Sequence, residues 1–230
     1  MAFMSKQKNA YRLSRRAKRV HKQPISYLMS QGVTNPRLIS LAAGLVDYET
    51  LPTSEARELM DSLLADDRAG RTALQYGTTQ GLLELREVLL GHMAALDGVR
   101  PGDLAATAED IVVTSGSQQL LFMLADILLD CGDIVITGWP SYFVYTGTLE
   151  AVGASVRCVD MDDDGIVPEA LDGLLGQLAS AGELPRVKIL YVCSYHQNPT
   201  GITLAADRRE GILEIVRKYS TDHRQLKLLE

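Results

Sequence analysis

Ser194-Tyr195-His196-Gln197-Asn198-Pro199-Thr200-Gly201 follows directly on the apolar run Val187 to Val192, and this junction decides the fold. The run VKILYV is short, β-branched and aromatic-rich, bounded by Pro185 and by the Asn198-Pro199 pair, which predicts a buried strand. Asn198 then stands past the carboxyl end of a strand, where open α/β sheets bind ligands. Pro199 lacks an amide proton and biases Asn198 toward an extended backbone, so the Asn198 carboxamide leaves the strand end in a fixed direction. Such an amide can hydrogen-bond a planar oxygen of a ligand. Asn-Pro and Thr-Gly are equally ordinary turn dipeptides, so this stretch by itself leaves both readings open.

Outward from that junction, strand and helix patterns alternate. Strands are predicted at Ile111 to Thr114, Ile134 to Thr137 and Ser155 to Val159, with helices at Gln118 to Leu129 and at about 142–150, 168–180 and 205–219. Leu120, Met123, Leu124 and Ile127 mark the inward face of the first of these helices, and Ile212, Ile215, Val216 and Tyr219 that of the last. Alternation of this kind means an α/β fold, a mostly parallel sheet covered by helices on both faces. Upstream, Pro52-Thr53-Ser54 opens a helix with Ala56, Leu59, Met60, Leu63 and Leu64 on one face. Ala69-Gly70-Arg71 reads as a linker, and Leu74 to Gly81 as a loop. A helix with Leu85, Val88, Leu89, Met93 and Leu96 on its apolar side follows. Leu226 to Glu230 has the look of a further buried strand, and a chain that stops on one suggests a truncated domain.

Two more strand ends carry chemistry-bearing residues. Thr114-Ser115-Gly116-Ser117-Gln118 joins a predicted strand to a helix start, where small residues admit an anion to backbone N–H groups and the helix dipole favours negative charge. A phosphate ester fits there, and so does a plain N-cap serine. Trp139-Pro140-Ser141-Tyr142 puts aromatics at the next strand end, suited to stacking on a planar ring or to simple core packing. Asp160 to Gly165 imitates the first half of a calcium loop, but its twelfth position is Leu171 rather than a bidentate Glu, so a solvated acidic turn is expected and no metal. His21, His92, His196 and His223 show no ligand or triad spacing, and no G-x-S-x-G elbow is present.

Composition narrows the classes. The chain has 230 residues, 46% hydrophobic and 23% charged, ordinary for a soluble globular protein. No run approaches the length that spans a bilayer, and no signal peptide is evident. Residues 1–22 hold eight basic side chains and no acid, while the rest carries 15 basic against 29 acidic, which argues against nucleic acid as a partner of the body. A basic arm of this kind suits a nucleic-acid tail or a transit peptide, and more commonly an N-terminus that is solvated or docked on a partner, which is the expectation here. Cys131, Cys158 and Cys193 sit in or beside apolar runs, so buried thiols in a reducing, cytoplasmic compartment are expected.

Phosphate loop, aromatic plate and fixed Asn, in this order, resemble the fold-type I pyridoxal-phosphate enzymes, and among them the class I/II aminotransferases. LISLAAGL (38–45), LQYGTTQGLLELRE (74–87), IVVTSGSQQ (111–119), GWPSYF (138–143), DGIVPEAL (164–171) and QNPTG (197–201) are similar to segments of that family in order and spacing. The kynurenine/2-aminoadipate aminotransferases are the subgroup most resembled. The resemblance implies pyridoxal 5′-phosphate as cofactor and an amino acid and a 2-oxo acid as substrates. It implies that Gly116, Ser117 and Gln118 hold the cofactor phosphate, that Tyr142 stacks on the pyridine ring, and that Asn198 donates to the phenolic oxygen. Tyr76 would reach the phosphate of the neighbouring subunit of a homodimer, and Gly44 would lie by the substrate carboxylate. Residues 1–50 would be an N-terminal arm with a small-domain segment, and 51–230 an incomplete cofactor-binding large domain. Family members continue with an Asp for the pyridinium nitrogen, a Tyr, the Schiff-base lysine and an Arg for the substrate carboxylate. None of Lys188, Lys218 or Lys227 stands at the lysine's position, so an N-terminal portion, inactive alone, is expected. The alternatives within this fold are a cofactor-sensing effector domain of a transcription regulator and a lyase or decarboxylase.

Overall fold

The computed structural model describes residues 12–20, 24–35, 37–39, 46–221 and 226–230, with 24–26 by backbone alone. The chain forms two compact units, residues 25–119 and residues 1–24 with 120–230. In chain order the helices and strands are α1 (Arg15–Arg19), α2 (Pro24–Thr34), α3 (Thr53–Ala65), α4 (Asp67–Ala73), α5 (Leu83–Leu96), α6 (Ser117–Leu128), β1 (Ile134–Gly138), α7 (Phe143–Val152), β2 (Ser155–Val159), β3 (Met161–Asp162), β4 (Gly165–Ile166), α8 (Pro168–Ser180), β5 (Val187–Tyr191), α9 (Ala206–Tyr219) and β6 (Lys227–Leu229).

In the unit containing 120–230, four strands pair in the order β2-β1-β5-β6, every pair parallel. Parallel neighbours need crossovers, and α7, α8 and α9 supply them. Both sheet faces are covered. Ile134, Ile136, Val187 and Leu190 pack with Leu171 and Leu175 of α8 and Ile212 and Val216 of α9. Val135 and Ile189 pack on the other face with Leu121 and Ala125 of α6 and Tyr145 and Leu149 of α7. The register between β1 and β5 slips after Ile134, which pairs with Val187 while Val135 pairs with Ile189. Lys188 is the extra residue, so Val187 and Leu190 share a face although their spacing is odd. The predicted α/β class, its strands at 134, 155, 187 and 227, and its helices near 143, 168 and 206 are all present.

The described part of the basic arm, residues 12–20, docks on its own chain: Arg16 pairs with Asp126 and lies 4.9 Å over the Phe122 ring. Arg19 donates to the Val152 carbonyl at the end of α7 and to Cys131 Sγ. The expected solvated acidic turn is present, with Asp162, Asp163 and Asp164 exposed. It closes the β3–β4 hairpin, and Arg208 from α9 donates to both oxygens of Asp162 at 2.6 and 2.7 Å.

Several expectations need correction. Ile111 to Thr114 is not a strand, because no strand among the described residues runs beside it. Its Val113 N–H bonds instead to Gln80 O at 2.8 Å. Residues 69–71 are no linker but lie in α4, where the Asp66 carboxylate caps the Ala69 amide. The apolar faces predicted for α3 and α5 are largely exposed. Within residues 25–119 only Gly70, Arg86 and Ala94 are buried among the described residues. α6 turns Leu121 and Ala125 inward rather than Leu120, Met123 and Ile127. The thiols are not buried either. Cys158 lies on the edge strand β2 and Cys131 in the turn before β1, both exposed, and Cys193 is half-buried.

Candidate active site

Strand order decides where a ligand can sit. From β1 the chain crosses to β2 on one side, then returns past β1 to β5 on the other, so the order reverses between β1 and β5. A crevice at the carboxyl ends of strands opens at such a reversal, because the loops leaving the two strands diverge. The loops leaving β1 and β5 here are Trp139–Tyr142 and 192–205, the two stretches singled out for an aromatic plate and a fixed amide.

The β1 loop is held at three points. The Trp139 N–H donates to Val159 O at 3.0 Å, buried Ser141 Oγ lies 2.9 Å from Thr137 Oγ1, and Pro140 O accepts from Gln197 Nε2 at 2.7 Å. Tyr142 follows as the half-buried N-cap of α7, packed against the α6–α7 face of the core. In the β5 loop, Gln197 N donates to Ile202 O, Gly201 N to Gln197 O and Leu204 N to Ser194 O, which folds the segment into a closed turn. The Trp139–Pro140 and Asn198–Pro199 bonds are cis. Asn198 is exposed on that turn, and His196 two residues before it holds φ 47°, a left-handed conformation uncommon for a side chain with a Cβ. Beneath the rim, the Tyr145 and Tyr191 rings meet edge-on at 4.8 Å.

Gly116 turns through φ 78° just before α6, and a Cβ built there would meet nothing within 4 Å. An anion could therefore approach its backbone closely. Ser117, exposed, is the first residue of the 12-residue α6, whose opening amides have no intrahelical acceptors. Gln119 instead closes the loop from behind, its Oε1 accepting from Ser115 N at 2.6 Å, while Gln118 is half-buried. Tyr76 is 99% exposed. Gly44 lies outside the described residues.

The structure thus joins the loops of Tyr142 and Asn198 at one sheet edge and gives Ser117 the helix start expected of it. Two residues went unrecognised in the sequence. Gln197 binds the two rim loops together. Buried Arg86 donates to Ala108 O at 2.7 Å, anchoring the segment that leads to Ser115. Among the described residues no three His, Cys, Asp or Glu side chains are grouped to hold a metal, and no helix is long and apolar enough to cross a membrane.

Comparison with known proteins gives the family. The profile of the family Aminotransferase class I and II matches residues 36–221. Aromatic-amino-acid aminotransferase 1 of Thermococcus litoralis is 32% identical over 182 residues, 79% of this chain and 42% of that protein. An archaeal alanine:glyoxylate aminotransferase superposes with a TM-score of 0.81 at 32% identity, over 90% of this chain and 50% of that one. A Pyrococcus horikoshii kynurenine aminotransferase, solved with PMP and with kynurenine as substrate, gives a TM-score of 0.79 at 31% identity, over 90% and 48%. The chain therefore spans about half the length of the proteins it matches.

Proposed function

Because the chain belongs to the class I and II aminotransferases, we propose that it serves the transfer of an amino group from an amino acid to a 2-oxo acid, with pyridoxal 5′-phosphate as cofactor. The observation that carries this reading is the reversal of strand order between β1 and β5, past whose carboxyl ends Tyr142 and Asn198 stand on two hydrogen-bonded loops. When bound, the cofactor supplies an electron sink for the amino acid's α-carbon chemistry.

The residues present fit that cofactor. The opening amides of α6, the Ser117 hydroxyl and the open backbone at Gly116 suit a phosphate, with Gln118 beside them. The Tyr142 ring would lie against the pyridine face. The Asn198 carboxamide would donate to the phenolic oxygen and hold the ring's in-plane orientation. Tyr76, projecting from its own protomer, would complete the phosphate site of the other subunit in a homodimer, and Gly44 would line the substrate carboxylate. A cytoplasmic location belongs to the same reading.

Equilibrium titration of the chain with pyridoxal 5′-phosphate tests this. Binding should saturate, and Asn198→Ala and Tyr142→Ala should each weaken it by roughly tenfold, the loss of one charge-assisted bond or one stacked ring. Binding that never saturates, or is indifferent to both substitutions, would exclude the assignment.

A further inference from the structure

We propose that Gln197 is a positioning residue whose carboxamide links the loops that leave β1 and β5 and sets the separation between the ring-stacking Tyr142 and the amide of Asn198. The ligand named here rests on the pyridoxal phosphate reading above; the brace itself rests on geometry alone.

Gln197 is 6% exposed, in a turn where Tyr195, His196, Asn198, Pro199 and Thr200 are all exposed. Burying a long polar side chain costs rotamer freedom and desolvates an amide, so it persists only when its donors and acceptors are met. They are met in two directions. Oε1 accepts from Thr200 N at 3.1 Å and from Thr200 Oγ1 at 2.5 Å, closing the local turn. Nε2 donates to Pro140 O at 2.7 Å, 57 residues away on the neighbouring strand's loop. The acceptor half thus fixes the side chain to the Asn198 turn, and the donor half hands that fixity to the peptide two residues before Tyr142. The other anchors of the Pro140 turn, Val159 O and Thr137 Oγ1, belong to β2 and β1 and do not reach the β5 side. A side chain with a donor at one branch and an acceptor at the other is what this place needs. An ionised carboxylate keeps the acceptors for Thr200 but cannot donate to Pro140.

The chain's single tryptophan, Trp139, adjoins Pro140 and reports on the brace directly. Time-resolved anisotropy of Trp139 in the ligand-free 230-residue chain would be compared for wild type, Gln197→Glu, Gln197→Leu and Thr200→Val, with circular dichroism to verify folding. Binding of pyridoxal 5′-phosphate by equilibrium dialysis and of inorganic phosphate by phosphorus NMR would be measured alongside. Gln197→Glu, close in shape and retaining the Thr200 contacts, should enlarge the fast local motion of Trp139, whereas Thr200→Val, which loses the hydroxyl contact but keeps the Thr200 N–H and the Pro140 bond, should enlarge it less. Gln197→Glu should weaken pyridoxal phosphate roughly tenfold but inorganic phosphate by less than about twofold, because the brace holds the ring's contacts and not the α6 amides. A folded Gln197→Glu chain with unchanged Trp139 motion overturns the brace. Equal loss of both ligands overturns the positioning role in favour of general support. A wild type that binds no pyridoxal phosphate sinks the cofactor assignment and the positioning role together. A wild type that binds it no better than Gln197→Glu sinks the positioning role alone.

Discussion

Tyr145 shows what a buried hydroxyl costs. Its side chain is 0% exposed, and its oxygen has no hydrogen-bond partner among the described residues. Burial pushes its pKa up to about 12, and burial together with nearby Cys193 and Tyr142 pushes Tyr191 up to about 12 as well. Groups whose folded pKa is raised contribute stability that is present below their ordinary value near 10 and is lost as pH rises through the folded one. Alkaline spectrophotometric titration should therefore show two phenols ionising well above the ordinary value near 10. Tyr145→Phe keeps the ring against Tyr191 and removes the stranded oxygen, so urea unfolding should find it unchanged or more stable by about 1 kcal/mol. A loss of that size would mean the hydroxyl does useful bonding. Residue-scale features of this sort were unevenly legible. Asn198 declares itself through the proline beside it, a local backbone rule, whereas Gln197 draws its meaning from Pro140, which nothing near Gln197 in the chain announces.

Among the elements, the β3–β4 hairpin is joined to α9 by a single guanidinium. Arg208 bonds both oxygens of Asp162, lies 3.8 Å from Asp164 Oδ2, and also donates to the carbonyls of Gly165 and Ile166. Those bonds hold the Asp162 carboxyl below its usual range. A depressed carboxylate contributes stability that is present above its ordinary value near 4 and is lost as pH falls through the depressed one. Thermal melts from pH 6 down to 3 should show wild type losing stability at the acid end. Asp162→Asn should start lower at pH 6 and fall less; parallel profiles would mean the pair is not coupled to folding. Helices α8 and α9 were legible because each has one apolar stripe. α6, with the sequence SQQLLFMLADIL, is apolar on nearly every side, so periodicity alone cannot choose the face, and packing against Val135 and Ile189 makes the choice.

For the molecule as a whole, apolar burial is concentrated on the four-stranded sheet. The unit of residues 25–119 buries little by itself, with Leu59 71% exposed on α3 and Val88 and Met93 exposed on α5. Local stability follows buried contacts, so hydrogen exchange read by mass spectrometry should find amides of β1 and β5 slowest and those of α3 to α5 far faster. Uniform protection would show that those helices are covered in solution. Alternating strand and helix patterns revealed the parallel sheet, since that periodicity is local; the lack of a partner for 111–114 is a non-local fact that no window of sequence contains. The doubled step at Lys188 has the widest reach. Past it, odd and even positions of β5 exchange sides, like a wave shifted by half its length. Tyr191 therefore arrives on the side of Tyr145 and Tyr142, and Val192 on the opposite one. One codon's worth of chain, placed before the strand ends, determines which layer of helices Tyr191 packs against.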